Sequence, residues 1–305
     1  MAYSIAKPAV LTMAGVAVLS SAGFYTWRVS ERPPGLEIFV FNTPGSPAVF
    51  LRTPDDRRIL IDGGANADII RRLSKVLPFY SRRVDEVILT LPDTKHLGGL
   101  IETVKRYRVS RAYLPAETDT VIASADDEAP LDFFRELTEQ QKVPVERVSR
   151  GQELVLGHGL SGGAVLDVRL EVLFPLPASE FVYSSASPPQ IIWRLVYGET
   201  SLLFMGGASR KIQKRLSADI ARTDVLIFSR NPDAGNLEPL LLNKAAPTFL
   251  VFSRSASYAR IRTAASADLL AGFMYDHQFN IQIDDSLHIV ANGQQVKINK
   301  SPGRG

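Results

Sequence analysis

The chain has no cysteine and only four histidines among its 305 residues. The absence of cysteine excludes disulfide bonds, thiolate zinc sites and cysteine nucleophiles. No charge dominates either, because 35 basic residues are balanced by 32 acidic ones, which leaves a net charge of +3. A small excess without a dense basic tract gives little indication of a nucleic-acid-binding surface. What the chain does have is a 45% share of hydrophobic residues, enough for one large domain with a substantial core.

One hydrophobic stretch near the N-terminus is long enough to span a membrane. Residues 9–27 carry no charge, are flanked by Lys7 and Arg28, and end in aromatic residues that include Trp27. These features predict a single-pass membrane anchor over residues 9–27. The alternative is a cleaved signal peptide, for which residues 19–23 offer small side chains. Flanking charge determines the orientation poorly, and we expect the folded part to be extracytoplasmic.

Hydrophobic patterning divides the rest of the chain into short strands and helices. We expect the anchor and a Pro-rich linker over residues 1–34, a folded domain over 35–298 and a flexible tail over 299–305. Hairpins followed by strands that alternate with helices indicate an α/β protein, with helices outside two packed sheets. Strands are predicted at Leu36–Phe41, Ala48–Arg52, Arg57–Ile61, Val84–Leu89, Ala112–Leu114, Gln152–Leu156, Val168–Phe174, Ile191–Tyr197, Ser201–Met205, Val225–Phe228, Thr248–Phe252, Asn280–Ile283 and Leu287–Val290. Helices are predicted at Asp68–Val76, Leu97–Tyr107, Leu131–Gln141, Ser209–Ile220 and Ala265–Tyr275.

A loop that follows one of these strands is the most informative part of the sequence. Residues 90–99 read TLPDTKHLGG, which resembles the T-H-x-[HD]-x-D-H-x-G-G loop of the metallo-β-lactamase fold. In that pattern Leu91 stands in the place of the first histidine ligand, and Lys95 stands in the place of an aspartate ligand. Asp93 and His96 remain. A leucine cannot coordinate a metal ion, and an ammonium group repels one at contact distance.

The resemblance covers residues 36–298 and is closest to the hydrolase-like C-terminal domain of ComEC, the DNA-uptake competence channel. In that subgroup the first strand leads into F-x-D-V-G-Q-G-D-A, and a hairpin ends in L-I-D-G-G. Residues 60–64 keep the second motif, whereas residues 39–48 read FVFNTPGSPA and lack both acidic positions and the glutamine. The resemblance implies a four-layer αββα metallo-β-lactamase-like sandwich, and the apolar run over residues 9–27 predicts one N-terminal transmembrane helix before it.

Three further ligand blocks of this fold also lack their ligands in this chain. Gly207 stands where the fold has an aspartate that bridges two metal ions. Arg230 lies in the block that normally carries two histidines, and residues 255–262, which align with the last block, contain no histidine. These losses imply that the ancestral di-metal site is gone, so we expect no metal and no cofactor. Activity does not transfer with the fold, because function depends on the residues of the site.

The residues left at these positions have alternative interpretations. Asp93 is predicted to cap the helix that follows it. His96 is either a relic ligand or general base, or a packing residue that makes a hydrogen bond at the start of this helix. Lys95, Arg230 and Arg254 either offset the two remaining carboxylates or hold a phosphate, or they are solvated side chains. We assign no catalytic residue and no metal ligand, and we treat as a vestigial site Asp62, Asp93, Lys95, His96, Gly207 and Arg230.

The sequence therefore predicts a membrane-anchored protein that has lost its metal centre and acts as a non-catalytic binding or scaffold component. Its ligand would be DNA, a nucleotide or a protein partner in a membrane complex, and the ComEC resemblance implies a link to DNA uptake. The alternatives are an active phosphodiesterase or nuclease built around Asp62, Asp93 and His96, and a purely structural partner. The basic residues interpreted as either a nucleic-acid face or a solvated surface are Arg71, Arg72, Arg82, Arg83, Lys105, Arg106, Arg108 and Arg111.

Overall fold

The structure of the protein is a computed structural model that describes residues 35–118, 125–230, 236–253 and 277–300. Within these ranges no helix is both long and apolar enough to cross a membrane. The anchor predicted at residues 9–27 lies outside them, and so does the helix predicted at 265–275. The last strand runs to Lys300, beyond the predicted end of the domain at residue 298.

The strands of the described ranges form two sheets, one of eight strands and one of seven. The first sheet has the order β15-β14-β1-β2-β3-β4-β5-β6, and its second half, β3 to β6, is parallel. The second has the order β13-β12-β11-β10-β9-β8-β7, and its first half, β13 to β10, is parallel. In chain order the strands are β1 (Leu36–Phe41), β2 (Ala48–Arg52), β3 (Arg58–Ile61), β4 (Glu86–Ile88), β5 (Arg111–Pro115), β6 (Val145–Val148), β7 (Glu153–Ser161), β8 (Ala164–Phe174), β9 (Ile192–Tyr197), β10 (Thr200–Gly206), β11 (Val225–Phe228), β12 (Phe249–Phe252), β13 (Gln278–Asn280), β14 (Ser286–Ala291) and β15 (Val296–Lys300).

Three apolar clusters hold the sheets and helices in four layers. The helices of the described ranges are α1 (Asp68–Val76), α2 (Thr94–Arg106), α3 (Ala125–Gln140), α4 (Arg210–Leu216), α5 (Pro239–Ala245) and α6 (Ile281–Asp284). Side chains of α1, α2 and α3 form one cluster with the outer face of the first sheet, and those of α4 and α5 form another with the second sheet. The third cluster fills the space between the sheets, where Trp193 stacks on Phe204. This order of layers is the αββα sandwich predicted from the sequence.

The strand predicted over Asn280–Ile283 is wrong. Strand β13 ends at Asn280, and Ile281–Asp284 is a short helical turn, α6. The side chain of Asn280 accepts a hydrogen bond from the backbone N–H of Gln282, which caps this turn. The alternation of polar and hydrophobic residues over these four positions indicated a strand. The chain forms a helical turn there instead, because the Asn280 side chain caps it.

Helix α3 begins at Ala125, not at Leu131 as predicted, and Pro130 lies inside it. The sequence pattern indicated a boundary there because proline removes a helical N–H donor. Tertiary structure holds the preceding turn, since Oδ1 of Asp127 accepts a hydrogen bond from the backbone N–H of Thr94 at 2.8 Å. The pattern also missed β6 and β15, which are edge strands with mostly exposed side chains, and α5, which has only seven residues.

Glycines bring the turn after β3 into direct backbone contact with α2. A β-carbon on Gly99 would lie 2.0 Å from the carbonyl oxygen of Gly63, a distance that no real side chain adopts. The N–H of Gly99 donates to the carbonyl oxygen of Gly64 at 2.9 Å, and the N–H of Gly63 donates to that of His96 at 2.9 Å. This contact fixes the start of α2, and the site residues on it, against the first sheet.

Replacing Gly99 by alanine separates helix propensity from this backbone contact. Propensity alone would stabilise α2 by about 1 kcal/mol, whereas the new β-carbon forces a shift of the overpacking kind, which costs about 1–3 kcal/mol. We expect Gly99→Ala to lower the free energy of unfolding, measured by urea denaturation, by at least about 1 kcal/mol. The control Ser74→Ala, on the exposed face of α1, should change it by less than about 0.5 kcal/mol. A Gly99→Ala protein more stable than the wild type would contradict the contact.

Candidate functional site

Asp62 is fully buried at the end of β3. Its Oδ1 accepts a hydrogen bond from the backbone N–H of Thr90 at 2.8 Å, and its Oδ2 accepts one from the Thr90 hydroxyl at 2.6 Å. The tight turn predicted from the Asp-Gly-Gly sequence has left-handed backbone at Asp62, with φ of 57°, and at Gly64, with φ of 74°. Because both oxygens are engaged with Thr90, Asp62 is a structural carboxylate beneath the other site residues.

Asp93 and His96 interact at the start of α2. Asp93 is the N-cap residue, and its Oδ1 accepts a hydrogen bond from the backbone N–H of His96 at 3.0 Å. Nδ1 of the His96 ring lies 2.5 Å from the same oxygen. Both side chains are largely buried, with 13% of His96 and 16% of Asp93 exposed. The capping role predicted for Asp93 is confirmed.

The pKa values of Asp62 and His96 shift because the two groups share a buried environment. Burial raises the pKa of Asp62 to about 6, although His96 and the hydrogen bonds from Thr90 oppose the rise. Burial lowers the pKa of His96, but the carboxylates of Asp62 and Asp93 outweigh it, so the net shift is upward. The pKa of each group thus depends on the charge of the other, because the ionised carboxylate favours the protonated imidazole and the imidazolium favours the ionised carboxylate.

Lys95 lies in the first turn of α2 with its side chain exposed. The loop between β1 and β2 packs against it, since a β-carbon on Gly45 would lie 3.0 Å from Cβ of Lys95. Within the described part of the chain, no carboxylate is in ion-pair contact with Lys95. Of the alternatives considered for Lys95, the structure does not show an ion pair with Asp62 or Asp93, because Asp62 is enclosed beneath the surface and Asp93 is engaged as a helix cap.

Arg230 covers Gly207 where β10 and β11 end side by side. A β-carbon on Gly207 would lie 3.1 Å from Nε of Arg230 and 3.8 Å from its Cζ. The guanidinium group thus occupies the space into which an aspartate side chain would extend from position 207. Arg230 is exposed, and it has no ion-pair partner among the residues for which the structure gives positions. The parallel pairing of β10 with β11 brings the two residues together.

One cleft of about 1040 Å³ lies at the C-terminal ends of the parallel strands, and it is lined by Asp93, Lys95, His96, Gly207 and Arg230. Arg71 pairs with Asp68, and Arg72 pairs with both Asp68 and Asp285, so two carboxylates balance the two guanidinium groups. Among the described residues, Lys95 and Arg230 are the cationic side chains of the cleft without an ion pair. The charged side chains that line it are Arg71, Arg72, Lys95, Arg230, Asp68 and Asp93, and His96 also lines it.

The other three histidines lie away from this cleft. His158, on β7, is hydrogen-bonded to Asp167 at 2.8 Å, and His288, on β14, is hydrogen-bonded to Glu37 at 3.1 Å. His277 precedes β13 and lies at the opposite end of that strand from the cleft. None of the three is part of the candidate site.

Most of the basic residues considered as a nucleic-acid face are paired with carboxylates. Pairing of this kind weakens the positive field that attracts a phosphate backbone. Arg254, which was considered as a cation near the site, lies outside the described residues. The same holds for residues 255–262, which align with the last ligand block. The ion pairs are Arg71 and Arg72 with Asp68, Arg83 with Asp56 and Asp85, Lys105 and Arg106 with Glu102, and Arg111 with Glu146.

Sequence reasoning missed several residues that line the cleft. The loop over residues 42–47 lies there, and its place in the degenerate ComEC-like motif was a usable signal. Gln190 and Gln282 also line the cleft, but they come from distant parts of the chain and carry no motif. Ser229 precedes Arg230, and its buried hydroxyl has no hydrogen-bond partner in the described structure.

The donors at this cleft do not fit a di-metal centre. The described residues contain no cluster of three His, Cys, Asp or Glu side chains arranged to hold a metal ion. Only one of the four histidines of the chain, His96, lies at the cleft, and the chain has no cysteine. Asp93 and His96 together fall short of the three protein ligands that a stable zinc site requires. Lys95 and Arg230 add positive charge where cations would bind.

Comparison with known proteins shows the fold. No protein-family model matches the chain, and no curated protein sequence does. The metallo-β-lactamase fold protein YhfI from Bacillus subtilis superposes with a TM-score of 0.51 at 14% identity, over 82% of this chain and 96% of that one. A mutant of the CmlA beta-hydroxylase superposes with a TM-score of 0.51 at 15% identity, over 86% of this chain. This chain spans 55% of the length of that hydroxylase structure. The described domain has the metallo-β-lactamase fold.

The coupled titration of Asp62 and His96 predicts a pH-dependent stability. Because both pKa values are raised in the folded state, the folded protein binds protons more tightly than the unfolded chain. His96 contributes a loss of stability only above its ordinary pKa of 6.5, whereas the stabilisation from Asp62 is present at low pH and is lost as the pH rises from about 4 to about 6. We expect Asp62→Asn, which keeps the shape and can bond to Thr90, to remove this loss.

The measurement is urea unfolding at a series of pH values. The unfolding free energy of the wild type minus that of Asp62→Asn should fall steadily as the pH rises through this range. The control Glu102→Gln, which alters an ion-paired carboxylate on the other side of α2, should leave the decline intact. Parallel pH profiles for wild type and Asp62→Asn would contradict the predicted coupling.

Proposed function

We propose that this protein of the metallo-β-lactamase fold is a non-catalytic, membrane-anchored binding protein whose cleft holds an anionic group between Lys95 and Arg230. The observation that carries the proposal is the position of the Arg230 guanidinium over Gly207, in space that a bridging aspartate would need. A cleft that attracts cations in metal hydrolases would here attract anions, because its uncompensated side chains are positively charged.

The chemistry of the cleft favours a phosphate or carboxylate group as the ligand. An arginine presents a planar set of donors that matches the oxygens of either group, and a lysine adds a compact point charge. The unpaired hydroxyl of Ser229, next to Arg230, offers one more donor. Residues 42–47 line the same cleft without contributing a carboxylate, so they add no repulsion. A volume of about 1040 Å³ accommodates a molecule larger than the anionic group, such as a nucleotide.

The membrane part of the proposal is supported by sequence alone. Residues 9–27 are uncharged, long enough to cross a hydrocarbon core, and flanked by cationic residues. The motif at residues 60–64 and the degenerate one at 39–48 resemble those of the ComEC hydrolase-like domain. On this ground we extend the proposal to a partner protein in a membrane complex, with a connection to DNA uptake.

A second candidate function, an active hydrolase that uses a different set of residues, is favoured by one observation. The Asp93 carboxylate contacts Nδ1 of His96 and orients this imidazole at the edge of the cleft. In hydrolases that use a histidine as general base, a carboxylate often orients the imidazole in the same way. Phosphodiesters would be its substrates. No nucleophilic side chain is in hydrogen-bond contact with His96 within the described residues, so we rank this function second.

Anion binding is tested with inorganic phosphate. Saturation at one hundred times the dissociation constant stabilises a protein by about 2.7 kcal/mol, which for a domain of this size raises the melting temperature by roughly 5–10 °C. We expect this rise in the wild type and its loss in the double variant Lys95→Ala/Arg230→Ala, measured by thermal denaturation with and without phosphate.

The matched control is Lys75→Ala/Arg108→Ala, which removes one exposed lysine and one exposed arginine outside the cleft. Its net charge equals that of the cleft variant, so a general effect of charge would appear in both. A melting temperature that does not respond to phosphate in the wild type, or that rises equally in both variants, would refute the anion site.

Metal content tests the non-catalytic part of the proposal. Because Asp93 and His96 are the donors that the described part of the cleft offers apart from the ion-paired Asp68, we expect the purified protein to contain well under one zinc or manganese ion per chain. His96→Ala should not change this value in elemental analysis. Two tightly bound ions, or metal-stimulated cleavage of a phosphodiester that Asp93→Ala abolishes, would establish the hydrolase instead.

A further inference from the structure

The hairpin of β7 and β8 extends beyond the rest of its sheet. β8 pairs with β9 only from Val168 onward, so Ala164–Asp167 pair with β7 alone. This overhang of antiparallel strand projects by about 13 Å. Gly162 and Gly163, with φ of 58° and 84°, close its tip in the conformation that tight hairpin turns require.

One face of the hairpin tip is packed and holds it in place. Leu166 lies against two turns, since β-carbons on Gly198 and Gly293 would lie 3.0 and 3.4 Å from its Cδ1. The side chain of Ser161 also meets the turn at Gly293. The tip is therefore a supported projection of the sandwich.

The other face of the tip is apolar and exposed to solvent. Leu160 and Val165 are direct cross-strand partners, and 72% and 69% of their surfaces are accessible. Residues 159–166 contain no charged side chain. The next pair on this face is His158 with Asp167, whose hydrogen bond compensates their polarity. The face thus changes from aliphatic at the tip to polar one pair further back.

The hairpin tip lies beside the start of the described domain. A β-carbon on Gly35 would lie 2.5 Å from the carbonyl oxygen of Ala291, at the end of β14. In the turn that follows β14, a β-carbon on Gly293 would lie 2.9 Å from Oγ of Ser161. Gly35, the turn at Gly293 and the hairpin tip are therefore neighbours at one end of the sandwich.

The length of chain before Gly35 relates this end to the membrane. The anchor predicted over residues 9–27 stops eight residues before Gly35. A fully extended chain spans at most about 3.6 Å per residue, so the segment reaches no further than about 29 Å. The cleft lies at the other end of β10, whose seven residues rise about 23 Å. The attachment point of an anchored chain is therefore at the hairpin end, and the linker is short enough that the tip stays within reach of the bilayer.

We propose that the β7–β8 tip inserts Leu160 and Val165 into the interfacial region of the bilayer. This inference rests on the membrane anchor of the proposed function and is independent of what the cleft binds. Transfer of aliphatic side chains out of water is favourable in free energy. A tip without charge enters the headgroup region without the free-energy cost of removing a charge from water. The His158–Asp167 pair then lies at the polar level of the headgroups.

The absence of cysteine makes a site-specific test possible. The full-length chain with Leu160→Cys or Ile283→Cys is labelled with the environment-sensitive dye NBD and reconstituted into phosphatidylcholine–phosphatidylglycerol vesicles that contain doxyl lipids. Ile283 is the matched control, because it is 68% exposed and adjoins Gln282 at the cleft end. Both replaced side chains are exposed, so neither variant disturbs the core. Flotation on a density gradient establishes first that the protein is bound to the vesicles.

We expect doxyl lipids to quench the label at position 160 severalfold more strongly than the label at 283. Equal quenching at both positions in vesicle-bound protein overturns the tip proposal and leaves the anchor intact. A label at 160 that is shielded from aqueous iodide but not quenched by lipid also overturns it, and assigns the tip to a protein contact. Protein that fails to float refutes the anchor, and the tip proposal falls with it, whereas phosphate binding in the cleft can still be measured.

Discussion

Where the turn after β3 meets the first turns of α2, two backbone segments approach so closely that no side chain fits between them. Gly63 and Gly99 permit this approach, and hydrogen bonds in both directions hold it. Asp62 is enclosed directly before the contact, and Thr90 satisfies both of its oxygens. The contact therefore joins the end of β3, the loop after β4 and the start of α2. This backbone contact therefore sets the position of every cleft residue on α2.

The charge pattern above this contact is consistent with a site that no longer has to hold cations. Asp62 is enclosed beneath the cleft and Asp93 caps α2, so both carboxylates have structural roles. Lys95 and Arg230 are exposed at the rim, without an ion pair in the described structure. A carboxylate-rich cleft without metal ions would carry uncompensated negative charge, which is costly in a partly dry environment. Residues 42–48 contain no acidic side chain and the rim carries two cations, so this cleft avoids that cost and is suited to an anion.

The two ends of the sandwich have different chemistry. The C-terminal ends of the parallel strands form the polar, cationic cleft, whereas the hairpin end presents Leu160 and Val165 on an uncharged tip beside Gly35. Strand direction produces this separation, because parallel strands place all of their C-terminal residues at one edge of a sheet. Under the proposed membrane attachment, the cleft would be open to soluble ligands while the hairpin meets the bilayer. Binding and attachment would then not compete for one surface.

The sequence by itself determined the αββα sandwich, most of the strands and the capping role of Asp93, because these follow from hydrophobic period, turn residues and motifs that are local in the chain. It also singled out Gly207 and Arg230 as positions where the resemblance to the metallo-β-lactamase fold would place metal ligands. It did not reveal that the Arg230 guanidinium lies over Gly207, since this requires β10 and β11 to pair in parallel. Nor did it decide whether Lys95 pairs with a carboxylate, since the burial of Asp62 and its bonds to Thr90 are set by packing between distant segments. Local pattern decides which element a residue joins, whereas only tertiary packing decides which charges meet and which remain exposed.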